Sequence, residues 1–316
     1  MLRDVDRKDT QSCTHSHSGL RHEAVVVDSD AAYVGHVAPF VRAGLDEGAT
    51  LVVLNRSHWA VLRDELGADA ERVSFTDCDD FYTRPIDALA SYDATLRRLT
   101  AAGSRSVRVA AEIPFGPTRS GWEEWMSYEA IVNRALADRP AHILCVYDTQ
   151  ITPDSVIDTV WRTHPKVIAN GDAAGPHYQP DDVVAAFAQV PARKLDLHSL
   201  PLTQDATGFR EALSAELAVA EAPKEKVVNM LVAASQVFDN ALRHGEGPTA
   251  LRAGLADGWF VCEIEDHGPG LNDPIAGFVP PTPGHSGGEG LWIARQLVTR
   301  LELISTQPGL TARLWL

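Results

Sequence analysis

Short apolar segments alternate with longer helical segments throughout the first half of the chain, and this alternation constrains the fold more than any other feature. The apolar segments are EAVVVDS (23–29), TLVVLN (50–55), RVSFTD (72–77), VRVAAEI (107–113) and AHILCVYD (141–148). A segment of helical periodicity follows each of the first four. Because continuous apolar strands separated by helices are typical of parallel sheets covered on both faces, we expect an α/β domain with a mostly parallel sheet.

The second half has a different order of elements. It is expected to begin with a strand at 194–200, followed by a helix near 207–221 and a long helix from about 224 to 243. Two strands flank the ADG turn within 249–268, and a Pro- and Gly-rich loop, a helix at 289–301 and a hairpin at 301–316 complete it. This order predicts an α+β domain, a sandwich of helices on one face of a mixed sheet.

The boundaries follow from composition. The polar residues 1–20 are expected to form a flexible tail, and the Gly-, Pro- and Asp-rich segment 170–182 is expected to leave the first domain. We therefore predict a first domain at 21–185, a linker at 186–193 and a second domain at 194–316. A chain of 316 residues is long enough for two separate cores.

Charge and composition narrow the possible environment and partners. The formal net charge of −15 repels phosphate backbones, so we expect no direct nucleic-acid binding and consider a basic protein partner easier to accommodate. No apolar run approaches the roughly 20 residues of a membrane helix, and the polar, acid-containing N-terminus does not fit a signal peptide. The four scattered cysteines (Cys13, Cys78, Cys145, Cys262) form no CxxC pair, which is typical of reduced thiols and does not indicate a zinc site. A cytoplasmic protein is expected.

Three pieces of the second half carry chemistry that suits a nucleotide. Gln236, Asn240 and His244 are spaced by four and project from one helix face. Asp266 ends a strand, where a carboxylate can accept a hydrogen bond from the exocyclic amine of adenine. Gly268 and Gly270 would then let the backbone approach a planar ring closely.

The third piece is GGEGL (287–291), at the start of a helix. Helix N-termini attract phosphate, and the Asn240 amide oxygen is a suitable Mg²⁺ ligand. The loop between the glycine clusters could act as a lid. Each piece also has a plain structural interpretation: a turn at 266–270, a polar network at Asn240, a dipole interaction for His244 and a flexible helix entry at 287–291. Their joint occurrence favours the nucleotide site.

The order of these pieces resembles the GHKL ATPase and kinase family over roughly residues 194–316, and the NALRHG segment (240–245) resembles anti-sigma-factor serine/threonine kinases. The resemblance implies ATP and Mg²⁺ bound through Asn240 (the Mg²⁺ ligand), Asp266, Gly268, Gly270, Gly288, Gly290 and Leu291. It also implies a general-base Glu where this chain has Gln236. A neutral amide cannot accept that proton, so weak or absent phosphotransfer is expected. Arg295 either faces the γ-phosphate or is a solvated helix charge.

Polar residues also collect at strand ends in the first half, which lacks a P-loop motif. Glu112 and Asp148 follow two strands and are expected to share the carboxyl edge of the sheet. With Tyr147, Glu129 on a nearby helix and His22 before the first strand, they are the predicted sensory-ligand residues. The plain alternatives are a turn cap for Asp148, an Arg partner for Glu112 and a surface position for His22. His15, His17 and His22 as a metal set are a weaker interpretation.

The first half resembles the MEDS sensory domain of bacterial signalling proteins over about residues 20–185. The resemblance rests on His22, PFVRAGLDEG (39–48), the Y-x-x-P at 82–85, YEAIVNRAL (128–136), YDT (147–149) and THP (163–165). It implies a RecA-like or Rossmann-like α/β fold and the sensing of a small molecule, with hydrocarbon derivatives as candidates.

The combined expectation is a cytoplasmic signalling regulator. A small-molecule sensor is joined to an ATP-binding domain of the anti-sigma kinase type, which controls transcription through a sigma factor or an anti-sigma antagonist, in a chain that can form a homodimer. Three alternatives stay open: an ATP-binding switch or scaffold without catalysis, an active serine/threonine kinase that tolerates Gln236, and an enzyme in the first half that uses Glu112 and Asp148 as acid and base.

Overall fold

The computed structural model describes residues 19–116, 118–169, 172–174, 177–188, 193–271, 273–281, 288–305 and 308–316. Several positions named above lie outside the described residues. They include the predicted tail up to residue 18 with Cys13, His15 and His17, residues 189–192 of the predicted linker, and Gly287.

Strands and helices alternate along the first unit, as the apolar segments predict. In chain order the elements are β1 (Arg21–Val27), α1 (Asp30–Glu47), β2 (Ala49–Leu54), α2 (Arg56–Leu66), a 3-10 segment (Gly67–Arg72), β3 (Ser74–Asp77), α3 (Cys78–Phe81), α4 (Pro85–Ala101), β4 (Val107–Ala111), α5 (Arg119–Ala135), β5 (Ala141–Asp148), α6 (Asp154–Thr163), β6 (Lys166–Ala169), β7 (Asp172–Ala174) and α7 (Pro180–Ala188).

Helix ends in this unit follow ordinary capping chemistry. The Ser29 side chain accepts a hydrogen bond from the Ala32 amide at the start of α1. Helix α2 begins at Arg56 and has Asn55 as its N-cap, because the Asn55 side chain accepts a hydrogen bond from the Ser57 amide. Helix α1 continues through Pro39.

The sheet of the first unit has the order β3-β2-β4-β5-β1-β6-β7. The first six strands pair in parallel, and β7 pairs antiparallel with β6. The prediction of a mostly parallel α/β sheet is confirmed. Parallel order brings the carboxyl ends of β4, β5 and β1 to one edge, which is where α/β folds place ligands.

Both faces of this sheet are covered by apolar cores. One core contains Ile143, Cys145 and Tyr147 of β5 together with residues of α4, α5 and α6. The other contains Leu144 and Val146 of β5 with residues of α1 and α2. Because side chains alternate along a strand, neighbouring residues at the end of β5 point to opposite faces. This alternation decides which polar residues of the first unit can meet.

The second unit follows the predicted order of elements. These are β8 (His198–Ser199), α8 (Ala206–Val219), α9 (Lys224–His244), β9 (Pro248–Ala256), β10 (Trp259–Asp266), α10 (Glu289–Leu297), β11 (Arg300–Ser305) and β12 (Leu310–Trp315). The first strand is much shorter than predicted, and α10 ends at Leu297 because β11 already begins at Arg300.

The sheet of the second unit has the order β11-β12-β10-β9-β8, and each described pair is antiparallel. The α+β sandwich is confirmed, but the expectation of a mixed sheet is wrong because tight hairpins join β9 to β10 and β11 to β12. Residues of α8, α9 and α10 form one core against this sheet. Phe209 and Phe238 stack within that core with ring centroids 4.6 Å apart.

The two units contact each other through the loop after β10 and through α10. Ile275 of that loop is fully buried in the core of the first unit, and Phe278 and Trp292 pack against the same core. Arg84 donates hydrogen bonds to the carbonyl oxygens of Gln296 (3.1 Å) and Val298 (2.6 Å). A cleft of about 1250 Å³ remains beside this contact, with residues of both units in its walls.

Within the described part of the chain, no helix combines the length and the apolar character needed to cross a membrane.

Candidate functional site

A cavity of about 330 Å³ lies between α9, α10 and the sheet of the second unit. The seven residues predicted for the nucleotide all line it: Asn240, Asp266, Gly268, Gly270, Gly288, Gly290 and Leu291. His244 also lines it, one helical turn after Asn240. The apolar part of the wall includes Val237, Ile264, Leu303 and Ala312. A mostly apolar cavity of this size with a few polar groups is typical of small-molecule sites.

Asp266 is held at the last position of β10 by two backbone donors. Its Oδ1 accepts from the amides of Gly268 (3.0 Å) and Leu310 (3.2 Å). The pairing of β10 with β9 shifts register between Glu265 and Asp266, which locally re-aims the side chain. With Oδ1 engaged by backbone amides, the second carboxylate oxygen keeps its acceptor capacity for an amine donor.

Glycines surround Asp266 because the chain itself approaches it closely. A Cβ at Gly245 would overlap with the carboxyl group of Asp266, and one at Gly309 would overlap with the Asp266 carbonyl. A Cβ at Gly268 would lie 2.6 Å from the His244 carbonyl oxygen. The sequence interpretation assigned Gly268 to a bound ring. The structure adds a role in packing, since this glycine lets the end of β10 lie against the end of α9.

The N-terminus of α10 meets α9 beside the same cavity. Gly288 is the N-cap in the left-handed conformation (φ 80°), which favours glycine. A Cβ at Gly290 would lie 3.1 Å from Gln236 Oε1 and 3.7 Å from both amide atoms of Asn240. The first amides of α10 and the two carboxamides of α9 are therefore neighbours. Unpaired amides at a helix N-terminus attract anions such as phosphate.

Arg295 is not the solvated helix charge that one of its two interpretations predicted. Its guanidinium lies 3.9 Å from the Phe278 ring centroid and donates to the carbonyl oxygens of Ala276 (3.0 Å) and Leu301 (3.0 Å). Burial lowers the pKa of Arg295 to about 9. The solvated-charge interpretation is wrong, because this side chain ties α10 to the loop at 273–281.

Glu112 and Asp148 share the carboxyl edge of the first sheet, as predicted, and His58 of α2 connects them. His58 Nδ1 lies 2.8 Å from Glu112 Oε1, and His58 Nε2 lies 3.7 Å from Asp148 Oδ2. The hydrogen bond with Glu112 is the main reason that the pKa of His58 is raised. Glu112 also accepts from the Asn55 amide (2.7 Å). The alternative of an Arg partner for Glu112 is wrong, whereas Asp148 does cap a turn by accepting from the Gln150 amide (2.9 Å).

His22, Glu129 and Tyr147 lie on the other face of the sheet, so the five predicted sensory residues do not form one site. His22 Nε2 is 3.2 Å from Glu129 Oε2, and both side chains are buried, which excludes a surface position for His22. The Tyr147 ring lies 5.7 Å from the ring of His164. Tyr147 and Asp148 are adjacent in sequence, and strand alternation separates them.

The sequence analysis did not identify three residues that contact the predicted acidic residues of the first unit. His58, Cys145 and His164 each contact one of the predicted acids. His164 belongs to the THP segment that supports the family resemblance, and Cys145 alternates with Tyr147 on β5, so both signals were present in the sequence. Glu129 and His164 lie 35 positions apart in the sequence, and no local spacing indicates their contact.

Two family models match separate parts of the chain. The family model of the MEDS domain, the methanogen/methylotroph, DcmR sensory domain, matches residues 21–165. The model of the histidine kinase-like ATPase domain matches residues 201–315. No curated protein sequence gives a significant match.

Among solved structures, the chain is similar to the NMR structure of the histidine kinase domain of the E. coli osmosensor EnvZ. That match has 22% identity and a TM-score of 0.24, and it covers 40% of this chain and 91% of that chain. At this TM-score the likeness carries no structural argument. The two family matches are consistent with the two observed sheets: the family models find a MEDS sensory domain followed by a histidine kinase-like ATPase domain.

Proposed function

We propose that this chain is a ligand-responsive regulator: its MEDS domain captures a small molecule, and its ATPase domain holds ATP and Mg²⁺ and controls transcription through a sigma factor or an anti-sigma antagonist. The observation that carries the proposal is the cavity in which Asp266, Asn240 and the N-terminus of α10 converge. The pairing of a sensory domain with a kinase-like ATPase domain supports a signalling role.

The donor set of this cavity fits a nucleotide. Asp266 keeps one carboxylate oxygen for an exocyclic amine, while the apolar wall suits a planar base. The first amides of α10 suit phosphate oxygens, and Asn240 supplies a hard oxygen ligand. Mg²⁺ neutralises the charge of the phosphates when it is bound. The chain's own groups bind and orient the nucleotide, and Leu291 and Gly290 close the cavity on the α10 side.

The position of Gln236 supports the proposal that the ATPase domain is a weak kinase or a switch without catalysis. Its carboxamide lies beside Gly290, next to the α10 amides where a phosphate chain would end. A general base at this position must accept a proton, and a carboxamide does not. ATP binding therefore survives in this proposal, while transfer to a serine or threonine hydroxyl is slow. The alternative, a nucleotide-binding switch or scaffold that never transfers phosphate, rests on the same residue.

The loop between the two glycine clusters supports the coupling of the two domains. Its described part contacts the first unit through buried Ile275 and through the ion pair of Asp273 with Arg134 (3.1 Å). Glu129 and Arg134 lie on the same helix, α5. A ligand that shifts α5 would change the contact of the first unit with this loop and thereby the access to the nucleotide cavity. Coupling of this kind requires different ligand affinities in the two states.

Calorimetric titration of the full chain with ATP and Mg²⁺ tests nucleotide binding. We expect saturable binding by the wild type and an affinity loss of roughly 10- to 150-fold for Asp266→Asn, from the 1.5–3 kcal/mol of a hydrogen bond to a charged group. Asp239→Asn is the matched control, since it removes a carboxylate on α9 that does not line the cavity. Equal affinity of Asp266→Asn and the wild type would refute the assigned role of Asp266.

Transfer of labelled γ-phosphate to purified candidate partners tests the role of Gln236. We expect slow or undetectable transfer by the wild type and faster transfer by Gln236→Glu, because the carboxylate restores a proton acceptor beside Gly290. ATP affinity measured for the same variant separates a catalytic effect from a binding effect. Rapid transfer by the wild type would contradict the proposal that Gln236 limits the reaction.

A further inference from the structure

Four metal-ligating side chains converge inside the first unit, beneath the sheet and away from its carboxyl edge. His22 comes from β1, Glu129 from α5, Cys145 from β5, and His164 directly follows α6. They are 3%, 2%, 4% and 0% exposed, respectively. One ligand atom from each, the two imidazole nitrogens, a carboxylate oxygen and the thiol sulfur, lies within 4.8 Å of every other. The spacing of the cysteines does not indicate this site, because its four ligands come from segments that are distant in the sequence.

The surrounding hydrogen bonds orient the His22 ring. The Asn133 amide nitrogen donates to the carbonyl oxygens of Thr163 (2.8 Å) and Glu129 (3.1 Å), which leaves its Oδ1 facing His22 Nδ1 at 3.2 Å. Because an amide oxygen only accepts, the proton of the neutral ring lies on Nδ1. His22 Nε2 therefore presents a lone pair toward Glu129 and Cys145, which lie 3.2 and 3.3 Å away.

The His164 ring is oriented in the same way. Its Nδ1 lies 3.2 Å from the Val160 carbonyl oxygen, which only accepts, so this nitrogen carries the proton. The Thr163 hydroxyl, 3.0 Å from the same nitrogen, can accept from it while donating to the Thr159 carbonyl (3.3 Å). His164 Nε2 then presents its lone pair to Glu129 Oε2 at 3.0 Å.

With both imidazoles neutral, the Cys145 thiol, which can donate to Glu129 Oε1 (3.8 Å), is the donor that remains among the four facing groups. Glu129 Oε2 and His164 Nε2 are both buried without a hydrogen-bond partner, although they are 3.0 Å apart. A buried polar atom without a partner costs about 1–3 kcal/mol, and more when it is charged. Fixed lone pairs that point at one another are the arrangement that a cation stabilises.

We propose that His22, Glu129, Cys145 and His164 bind one divalent transition-metal ion, for which Zn²⁺ is the best match. A thiolate, two imidazoles and a carboxylate are the ligand types of four-coordinate zinc sites. Bonds of about 2.0–2.3 Å place tetrahedral ligand atoms roughly 3.3–3.6 Å apart. The observed separations of 3.0, 3.2 and 3.3 Å are close to this range, and the longest one, up to 4.8 Å, would shorten by about 1 Å.

Hydrogen bonds to the two histidines orient their rings in the way that is usual around protein metal sites. Asn133 and the Val160 carbonyl each hold the non-ligating nitrogen of one histidine, which fixes the tautomer that binds metal. Four protein ligands leave no open position, so the ion would be a resident one that ties β1, α5, β5 and the end of α6 together. Because the site lies wholly in the MEDS domain, it does not depend on the nucleotide proposal.

Metal analysis of the full chain tests the proposal. The protein is expressed in zinc-supplemented medium, purified without chelators and analysed by mass spectrometry for metals. We expect close to one zinc ion per chain in the wild type. The zinc content of Cys145→Ser should be at least tenfold lower. Cys78→Ser is the matched control, because Cys78 is an equally buried thiol of the same domain outside the cluster, and it should keep its zinc.

Cobalt substitution provides a readout of the ligands themselves. Co²⁺ added to metal-free protein should give the visible bands of a tetrahedral site and a thiolate-to-cobalt charge-transfer band. The charge-transfer band should be absent in Cys145→Ser, while His164→Gln should weaken the visible bands, and circular dichroism checks that both variants fold. A wild-type chain that contains no metal as purified and gives no cobalt spectrum would overturn the proposal, as would zinc retained by Cys145→Ser.

Discussion

Replacing Ile275 by Ala tests whether the loop at 273–281 is held against the sensory domain by burial rather than by charge. Ile275 is fully buried in the core of the first unit. Truncation of a buried Ile to Ala costs about 2–5 kcal/mol. The Arg134–Asp273 pair is about half exposed on both sides, and such pairs contribute about 0.2–1 kcal/mol. Burial should therefore dominate, and Arg134→Ala serves as the contrasting variant.

The expected increase in the open fraction of the loop follows from the free energy of burial that the Ile275→Ala variant loses. If release of the loop needs only local opening, a loss of about 2–3 kcal/mol raises the open fraction roughly 30- to 160-fold. Arg134→Ala should raise it less than about fivefold. Two loop amides report the opening directly, since Ala276 donates to the Asp273 carbonyl (3.1 Å) and Phe278 to the Ile275 carbonyl (2.9 Å).

Hydrogen exchange followed by mass spectrometry measures this opening for the segment 269–281. Exchange in α8, which lies in the core of the second unit, serves as an internal reference for global stability. Faster exchange in the loop with unchanged exchange in α8 is the expected result. If Ile275→Ala leaves loop exchange unchanged, or if Arg134→Ala has the larger effect, the loop is not held by burial of Ile275 and the coupling route proposed here is wrong.

Two further predictions concern the polar sites. Gly245→Ala should displace the Asp266 carboxyl group, with which the new Cβ would overlap, and weaken ATP binding at least about tenfold in calorimetry; Gly35→Ala, where a Cβ meets nothing within 4 Å, should bind ATP normally. The pKa of His58 is raised by Glu112, so its contribution to stability is present below the unfolded pKa near 6.5 and is lost as pH rises through the folded value. Denaturant unfolding between pH 6 and pH 8 should show a steeper fall for the wild type than for His58→Gln, and equal slopes would contradict this assignment.

Much of the lining of the cavity between α9 and α10 was predictable because its residues come in short, ordered motifs. The spacing of Asn240 and His244 on one helix, the strand end at Asp266 and the glycines before α10 are local features, and the structure brings all of them to one cavity. The contact of Gly245 with Asp266 was not predictable. It depends on how the end of α9 packs against the end of β10, which no spacing along the chain reports.

In the first domain the sheet was predictable from the sequence, whereas the grouping of the polar side chains was not. Its parallel sheet follows from apolar periodicity, and the shared edge of Glu112 and Asp148 follows from strand direction. The link through His58 depends on the docking of α2 over that edge. The division of the predicted sensory residues into two groups depends on which face each side chain takes, and therefore on exact strand bounds that periodicity predicts poorly.

The sequence by itself determined the parallel sheet of the first domain, the order of the two domains and the residues that line the cavity between α9 and α10, because helix and strand periodicity and glycine chemistry act over a few residues. Only the tertiary structure decided that His22, Glu129, Cys145 and His164 share one buried point and that Ile275 of the second domain lies in the core of the first. The physical reason is that these contacts are made between segments distant in the chain, where packing and burial, rather than local conformational preference, determine which side chains meet.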